Sequence, residues 1–163
     1  MKTRFRLYLE TSFWRRLGDS ADWKRRRTTY RFLRAVESRH DLFISRWVTD
    51  EISQIPDMLE RRQIRRKIDD SGSRTLTENR QIERAAFELL ALTGNNNRLL
   101  ADMWHLGYTV VSGLDALVTW DMRDLARDRT RTAAQVYGRR HGMEVPLIGT
   151  PEEVAQWLNL KIG

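Results

Sequence analysis

Apolar positions along the chain fall into short runs separated by helical stripes. Arg4–Leu9 predicts a strand, with Phe5, Leu7 and Leu9 on one face and Tyr8 on the other. Leu42-Phe43-Ile44 predicts a second strand over Asp41–Ser45, and Asp115–Thr119 carries the clearest strand signal of the chain. Arg74–Leu76 reads as a weaker strand and Glu144–Ile148 as a final one. Between them, Thr11 or Ser12 can cap a short helix bearing Phe13, Trp14 and Leu17. Ala21 to Arg39 reads as a long helix with Tyr30, Leu33 and Val36 as its buried stripe. Further helices are expected around Trp47–Ile52, over Asp57–Asp69 with Met58, Leu59, Ile64 and Ile68 inward, and over Glu78–Leu92 behind a Thr77 cap. Leu99–Val111, Arg127–Arg140 and a Thr150-Pro151 start running to Leu158 complete the set. Strands alternating with helices predict a parallel sheet covered on both faces. With no repeat, low-complexity tract or long linker, residues 1–163 read as a single domain.

Composition narrows the function classes. A cysteine count of 0 removes disulfides, thiol catalysis and thiolate metal sites. No apolar run approaches the ~18 residues of a membrane span, and the amino terminus leads into a strand without a signal-peptide core, so a cytoplasmic, non-membrane protein is expected. The net charge of +7 is almost wholly arginine, since only Lys2, Lys24, Lys67 and Lys161 are lysines. The guanidinium fork suits phosphate, which makes nucleic acid the first partner to consider, although solvated arginine faces also raise a pI.

Against that basic background four acids stand where a parallel α/β sheet would gather them. Glu10 and Asp121 each end an apolar strand, and side chains there point into the crevice at the carboxyl edge of the sheet. Glu51 shares a helix face with Trp47 and Val48, which favours it over Asp50 as an inward acid, and Asp102 lies one turn before His105. Asp124 reads instead as a cap for the following segment. Clustered carboxylates repel unless one takes a proton or a cation joins them. Mg²⁺ and Mn²⁺ prefer oxygen ligands and serve phosphodiester hydrolysis. Such a cluster should leave the metal-free protein less stable at high pH than the metal-bound one. Ser12 and Thr119 are candidates to hydrogen-bond a bound water or phosphate. His105 could donate to Asp102, meet a phosphate or be a satisfied core histidine. Asn97 and Arg98 stand before the Asp102 helix, and Trp23 adjoins Lys24-Arg25-Arg26-Arg27, an aromatic–arginine cluster suited to stacking an unpaired base. Trp14, Trp47 and Trp104 fall on predicted core faces.

Tyr8-Leu9-Glu10-Thr11-Ser12-Phe13-Trp14 resembles the opening motif of PIN-domain nucleases, particularly VapC-type toxins. Ser45–Ile52, Ala101–Leu106, Gly113–Asp124 and Ile148–Val154 resemble the later motifs of that family in the same order. The resemblance implies a three-layer α/β/α PIN-like fold with a mostly parallel sheet of about five strands. It implies a Mg²⁺- or Mn²⁺-dependent endoribonuclease with Glu10, Glu51, Asp102 and Asp121 as catalytic acids. Glu10, Asp102 and Asp121 would be the metal ligands, and Arg25, Arg26 and Arg98 are candidate nucleic-acid contacts. It further implies an RNA substrate, products with 5′-phosphate and 3′-hydroxyl ends, a cognate antitoxin and a homodimer. Two departures stand out. The first acid is Glu10 where the superfamily usually has aspartate, and Met103-Trp104 replaces small residues after Asp102, where Trp104 could narrow the RNA groove. They favour the alternative of a catalytically impaired domain that binds RNA or a protein.

Overall fold

A strand buried on both faces must lie at the centre of its sheet, and the chain supplies one early. In the computed structural model, which describes residues 1–163, Leu7, Tyr8 and Leu9 of β1 (Arg6–Leu9) are wholly buried. β1 pairs on one side with β2 (Asp41–Ser45) and on the other with β4 (Ala116–Val118), in the registers Leu7↔Leu42 and Leu7↔Ala116. β3 (Arg74–Leu76) and β5 (Leu147–Gly149) form the edges, giving a five-stranded, all-parallel sheet of order β3-β2-β1-β4-β5. The order reverses at β1, so a crevice opens at the carboxyl ends of β1 and β4, the place where open α/β sheets bind ligands.

Eight α-helices cover the two faces: α1 (Thr11–Arg16), α2 (Trp23–Val36), α3 (Arg46–Ser53), α4 (Met58–Asp70), α5 (Arg80–Leu92), α6 (Leu100–Val111), α7 (Asp128–His141) and α8 (Pro151–Trp157). A 3-10 turn, Asn97–Leu99, precedes α6. The result is the expected three-layer α/β/α architecture. No helix is long and apolar enough to cross a membrane.

Local chemistry explains where the elements differ from expectation. The α5 cap is Asn79, whose side chain accepts from the Ile82 N–H, rather than Thr77; amide and hydroxyl caps serve the same orphan donors. The α1 cap is Glu10, not Thr11 or Ser12: its carboxylate accepts from the Ser12 N–H. β5 begins only at Leu147, because Pro146 has no N–H to give the ladder. Tyr30, expected on the buried stripe of α2, is 48% exposed, and Phe32 takes the inward place. On α4, Ile64 and Ile68 are buried as expected while Met58 and Leu59 in the first turn face solvent.

Two glycines permit close approach. Gly107 lets α6 lie on α5, where a Cβ would stand 3.2 Å from both Ala86 N and Ile82 O. Gly138 is tighter, since a Cβ there would meet Met143 O and Val145 Cγ2 at 2.7 Å. Gly138→Ala is therefore expected to destabilise the protein by about 1–3 kcal/mol through overpacking. Thermal unfolding would register this as a fall of several degrees, and an unchanged midpoint would contradict the packing described.

Candidate metal centre

The residue after β1 is Glu10, and its extended backbone folds the side chain back against the start of α1. Only 5% of Glu10 is exposed. Its Oε2 accepts from Ser12 N at 3.0 Å, Ser12 Oγ at 2.5 Å and Thr119 Oγ1 at 2.8 Å. Both hydroxyls are themselves oriented, because Trp120 N donates to Ser12 Oγ (2.8 Å) and Asp121 N donates to Thr119 Oγ1 (2.9 Å). The Ser12 and Thr119 hydroxyls thus tie the mouths of β1 and β4 together through one carboxylate oxygen. Oε1 of Glu10 has no protein partner and retains access to solvent. Burial raises the Glu10 carboxyl above its ordinary value, against the opposing charge of His105 and the two hydroxyl donors.

Asp102, Asp121 and Asp124 form the tightest cluster. One carboxylate oxygen from each lies within 4.8 Å of the others, and all three residues are half-buried. Asp102 occupies the first turn of α6. Asp121 follows β4 in a turn where its Oδ1 accepts from Arg123 N (3.1 Å) and Asp124 N (2.9 Å). That turn swings Asp124 back toward Asp121, which corrects the sequence-based expectation for Asp124. It caps nothing: α7 starts only at Asp128 behind an uncapped Arg127. The cluster carries its own electrostatic signature. Asp102 is pushed up to about 7, first by burial, then by the charges of Asp121 and Glu10. An all-carboxylate donor set of this spacing could hold a hard divalent cation, which would relieve that repulsion. The trio contains Asp124 where Glu10 was expected; Glu10 is close enough to be felt electrostatically by Asp102 but outside the tightest group.

Glu51 stands apart, in a hydrogen-bonded chain of its own. Its Oε1 accepts from Thr11 Oγ1 at 3.0 Å and from His105 Nε2 at 2.6 Å. The other imidazole nitrogen, Nδ1, lies 2.6 Å from the Tyr8 hydroxyl, which in turn lies 2.7 Å from Ser45 Oγ. Both nitrogens of the fully buried His105 are therefore engaged, and neither bonds Asp102 or faces solvent. Burial alone would lower the imidazole. The bond to Glu51 and the charges of Glu10, Glu51 and Asp102 outweigh it and hold His105 above its usual value. Burial works to raise Glu51, but His105 and Thr11 outweigh it and bring Glu51 below its usual value. Neighbouring Asp50 points outward to Arg46 at 3.4 Å.

The arginines divide. Arg98 reaches the cluster, with Nη2 3.3 Å from Asp124 Oδ1. Arg25 lies over the Trp120 ring, 5.3 Å from its centroid, beside Asp121. Arg26 turns away and donates from Nε to Leu17 O at 3.0 Å. Met103 and Trp104 are buried, with Trp104 stacked on Trp47 at 5.0 Å, so neither narrows the crevice. Sequence reasoning missed Tyr8, Thr11, Ser45 and Asp124 as members of these networks. The alternation of polar Tyr8 with Leu7 and Leu9, one strand position from Glu10, was the available signal for the first.

No protein-family model and no curated protein matches the chain in sequence. The fold is nevertheless shared with a solved structure, VapBC2 from Rickettsia felis bound to a DNA fragment from its promoter. The TM-score is 0.53 at 14% identity, covering 88% of this chain and 96% of that one. At that identity the likeness establishes the fold alone, a three-layer α/β/α domain with an all-parallel sheet; the acidic cluster at the sheet's carboxyl edge is an observation on this chain.

Proposed function

We propose that the chain is a Mg²⁺- or Mn²⁺-dependent endoribonuclease of the VapC-like toxin class. The observation that carries the reading is the convergence of Asp102, Asp121 and Asp124 beside buried Glu10, at the switch point of a PIN-like sheet. A divalent cation there would acidify water and draw charge off a scissile phosphate. The chain's residues supply the rest. Asp102, Asp121 and Asp124 offer ligand oxygens, with Glu10 Oε1 as a further one. Ser12 and Thr119 aim Glu10 and oppose the rise that burial imposes on it. Glu51, kept anionic by His105 and Thr11, would hold a second ion or orient water. Arg98, 3.3 Å from Asp124, would be placed to meet the substrate phosphate beside the cluster. Products would carry 5′-phosphate and 3′-hydroxyl ends, as in the family the motifs resemble.

The same resemblance, joined to a neighbour solved as a two-component assembly on promoter DNA, supports a cognate antitoxin as partner. A homodimer and cytoplasmic residence belong to this proposal. Purified protein should cleave unpaired RNA when Mn²⁺ or Mg²⁺ is added and stop with chelator. Asp102→Asn should lower the rate at least a hundredfold, because it removes one ligand charge. Unchanged cleavage by that variant would exclude the cluster as the catalytic centre. A specific Mn²⁺ site in calorimetry without cleavage of any RNA would favour the binding-module alternative.

A further inference from the structure

A groove of about 320 Å³ lies outside the acidic crevice, lined by Leu17, Trp23, Arg26, Arg27, Tyr30 and Lys67. Its composition is unusual for bare protein surface: two aromatics, three cations and no carboxylate. Trp23 is 59% and Tyr30 48% exposed, seven residues apart on α2 and so about 10 Å apart along one helix face. Each ring carries a cation: Lys24 Nζ lies 5.8 Å from the Trp23 centroid and Lys67 Nζ 5.2 Å from that of Tyr30. Arg26 is fixed in the groove wall by its bond to Leu17 O. At Leu17-Gly18 the groove meets a second trough of about 490 Å³ lined by Ser12, Arg15, Arg16, Asp19 and Glu60 among others, and Ser12 is the residue bonded to Glu10. That trough is of mixed charge, with Arg16 paired to Asp19 at 2.7 Å, so the cationic character lies in the aromatic groove itself, and the trough links it to the catalytic mouth.

We propose that this groove is a stacking platform for unpaired RNA, on which bases beyond the scissile phosphate lie against Trp23 and Tyr30 while Arg27 and Lys67 meet their phosphates. Charge decides the occupant. A polyanion complements a rim of cations, and exposed aromatic faces serve any base without regard to sequence. The inference rests on the nuclease reading for its substrate class but not for its measurement.

Binding is read by anisotropy of a labelled, unstructured oligoribonucleotide on the Asp102→Asn protein in chelator, where cleavage plays no part. Trp23→Ala and Tyr30→Ala should each weaken binding about tenfold, the size of one lost stack, and Trp23→Phe should restore most of it. Lys67→Ala should flatten the salt dependence. The same RNA annealed into a duplex should bind without sensitivity to Trp23. Circular dichroism checks that these surface variants fold. If the Trp23→Ala/Tyr30→Ala double variant binds as tightly as its parent, the platform is wrong, even where the wild type cleaves. If the double variant loses a protein partner but not RNA, the groove belongs to that partner and the proposal falls. If binding is lost while the wild type cleaves nothing with either metal, the platform stands and the nuclease reading fails alone.

Discussion

His105→Ala is expected to destabilise the protein by about 3 kcal/mol, on the order of 10 °C in unfolding midpoint. The substitution removes the partner of Glu51 and leaves the Tyr8 hydroxyl short of a bond deep in the core. The figure is the lower end of the cost of breaking a buried ion pair, because the Glu51 side chain keeps 35% exposure and solvent can rescue it. The pH dependence has a definite sign. His105 is raised above its ordinary 6.5, so its stabilisation is complete below that value and is lost as pH rises through the higher folded value. Glu51 is lowered from 4.5, so its share is present above that value and is lost as pH falls through the folded one. The gap between wild type and His105→Ala should be widest between those limits and should narrow in alkali. A loss under about 1 kcal/mol would mean the pair is not stabilising the fold.

Asp102→Asn should do the reverse for the metal-free protein, raising its stability at slightly alkaline pH while ending catalysis. An acid raised from 3.8 to about 7 stabilises the folded state only while protonated. Its contribution is complete below 3.8 and is lost progressively as pH rises through about 7. The full loss would be about 4 kcal/mol, reduced by solvent because Asp102 is only half-buried. Buried Glu10, also raised, adds in the same direction. Calorimetric melting in chelator should show the wild type falling from about pH 4 to about pH 7, with a shallower fall for Asp102→Asn. Mn²⁺ should restore the wild type at the alkaline end and do little for the variant. Equal stabilisation of both proteins by Mn²⁺ would separate the ion from Asp102.

Much of this was legible in the chain, for identifiable reasons. β2 matched its sequence-based bounds because an apolar run between turn residues leaves little choice of limits, and β3, with only Leu76 apolar, matched through the Ser71-Gly72 turn before it. The place of Glu10 directly after β1 follows from the apolar run it ends, whereas Asp121, expected at the mouth of a strand reaching Thr119, lies three residues past the end of β4. What escaped is whatever depends on two elements meeting. Tyr30 fits an inward helical stripe, yet the packing of α2 buries Phe32 instead and leaves Tyr30 on the surface. The partner of His105 is 54 residues away on α3, so its spacing from Asp102 pointed to the wrong acid. Asp124 reached the cluster through an Asx turn whose geometry depends on Asp121, a contact that no hydrophobic period encodes.

The central position of β1 has a consequence during synthesis. Leu7 cannot complete its ladder until Ala116 has left the ribosome, and Asp121 and Asp124 emerge later still. A nascent or prematurely released chain lacking those residues holds only Glu10, Glu51 and Asp102, without the sheet edge that would bring them together. Long-range parallel pairing makes such folding slow, so under the nuclease reading proposed above an unfinished polypeptide would have no assembled centre with which to cut RNA.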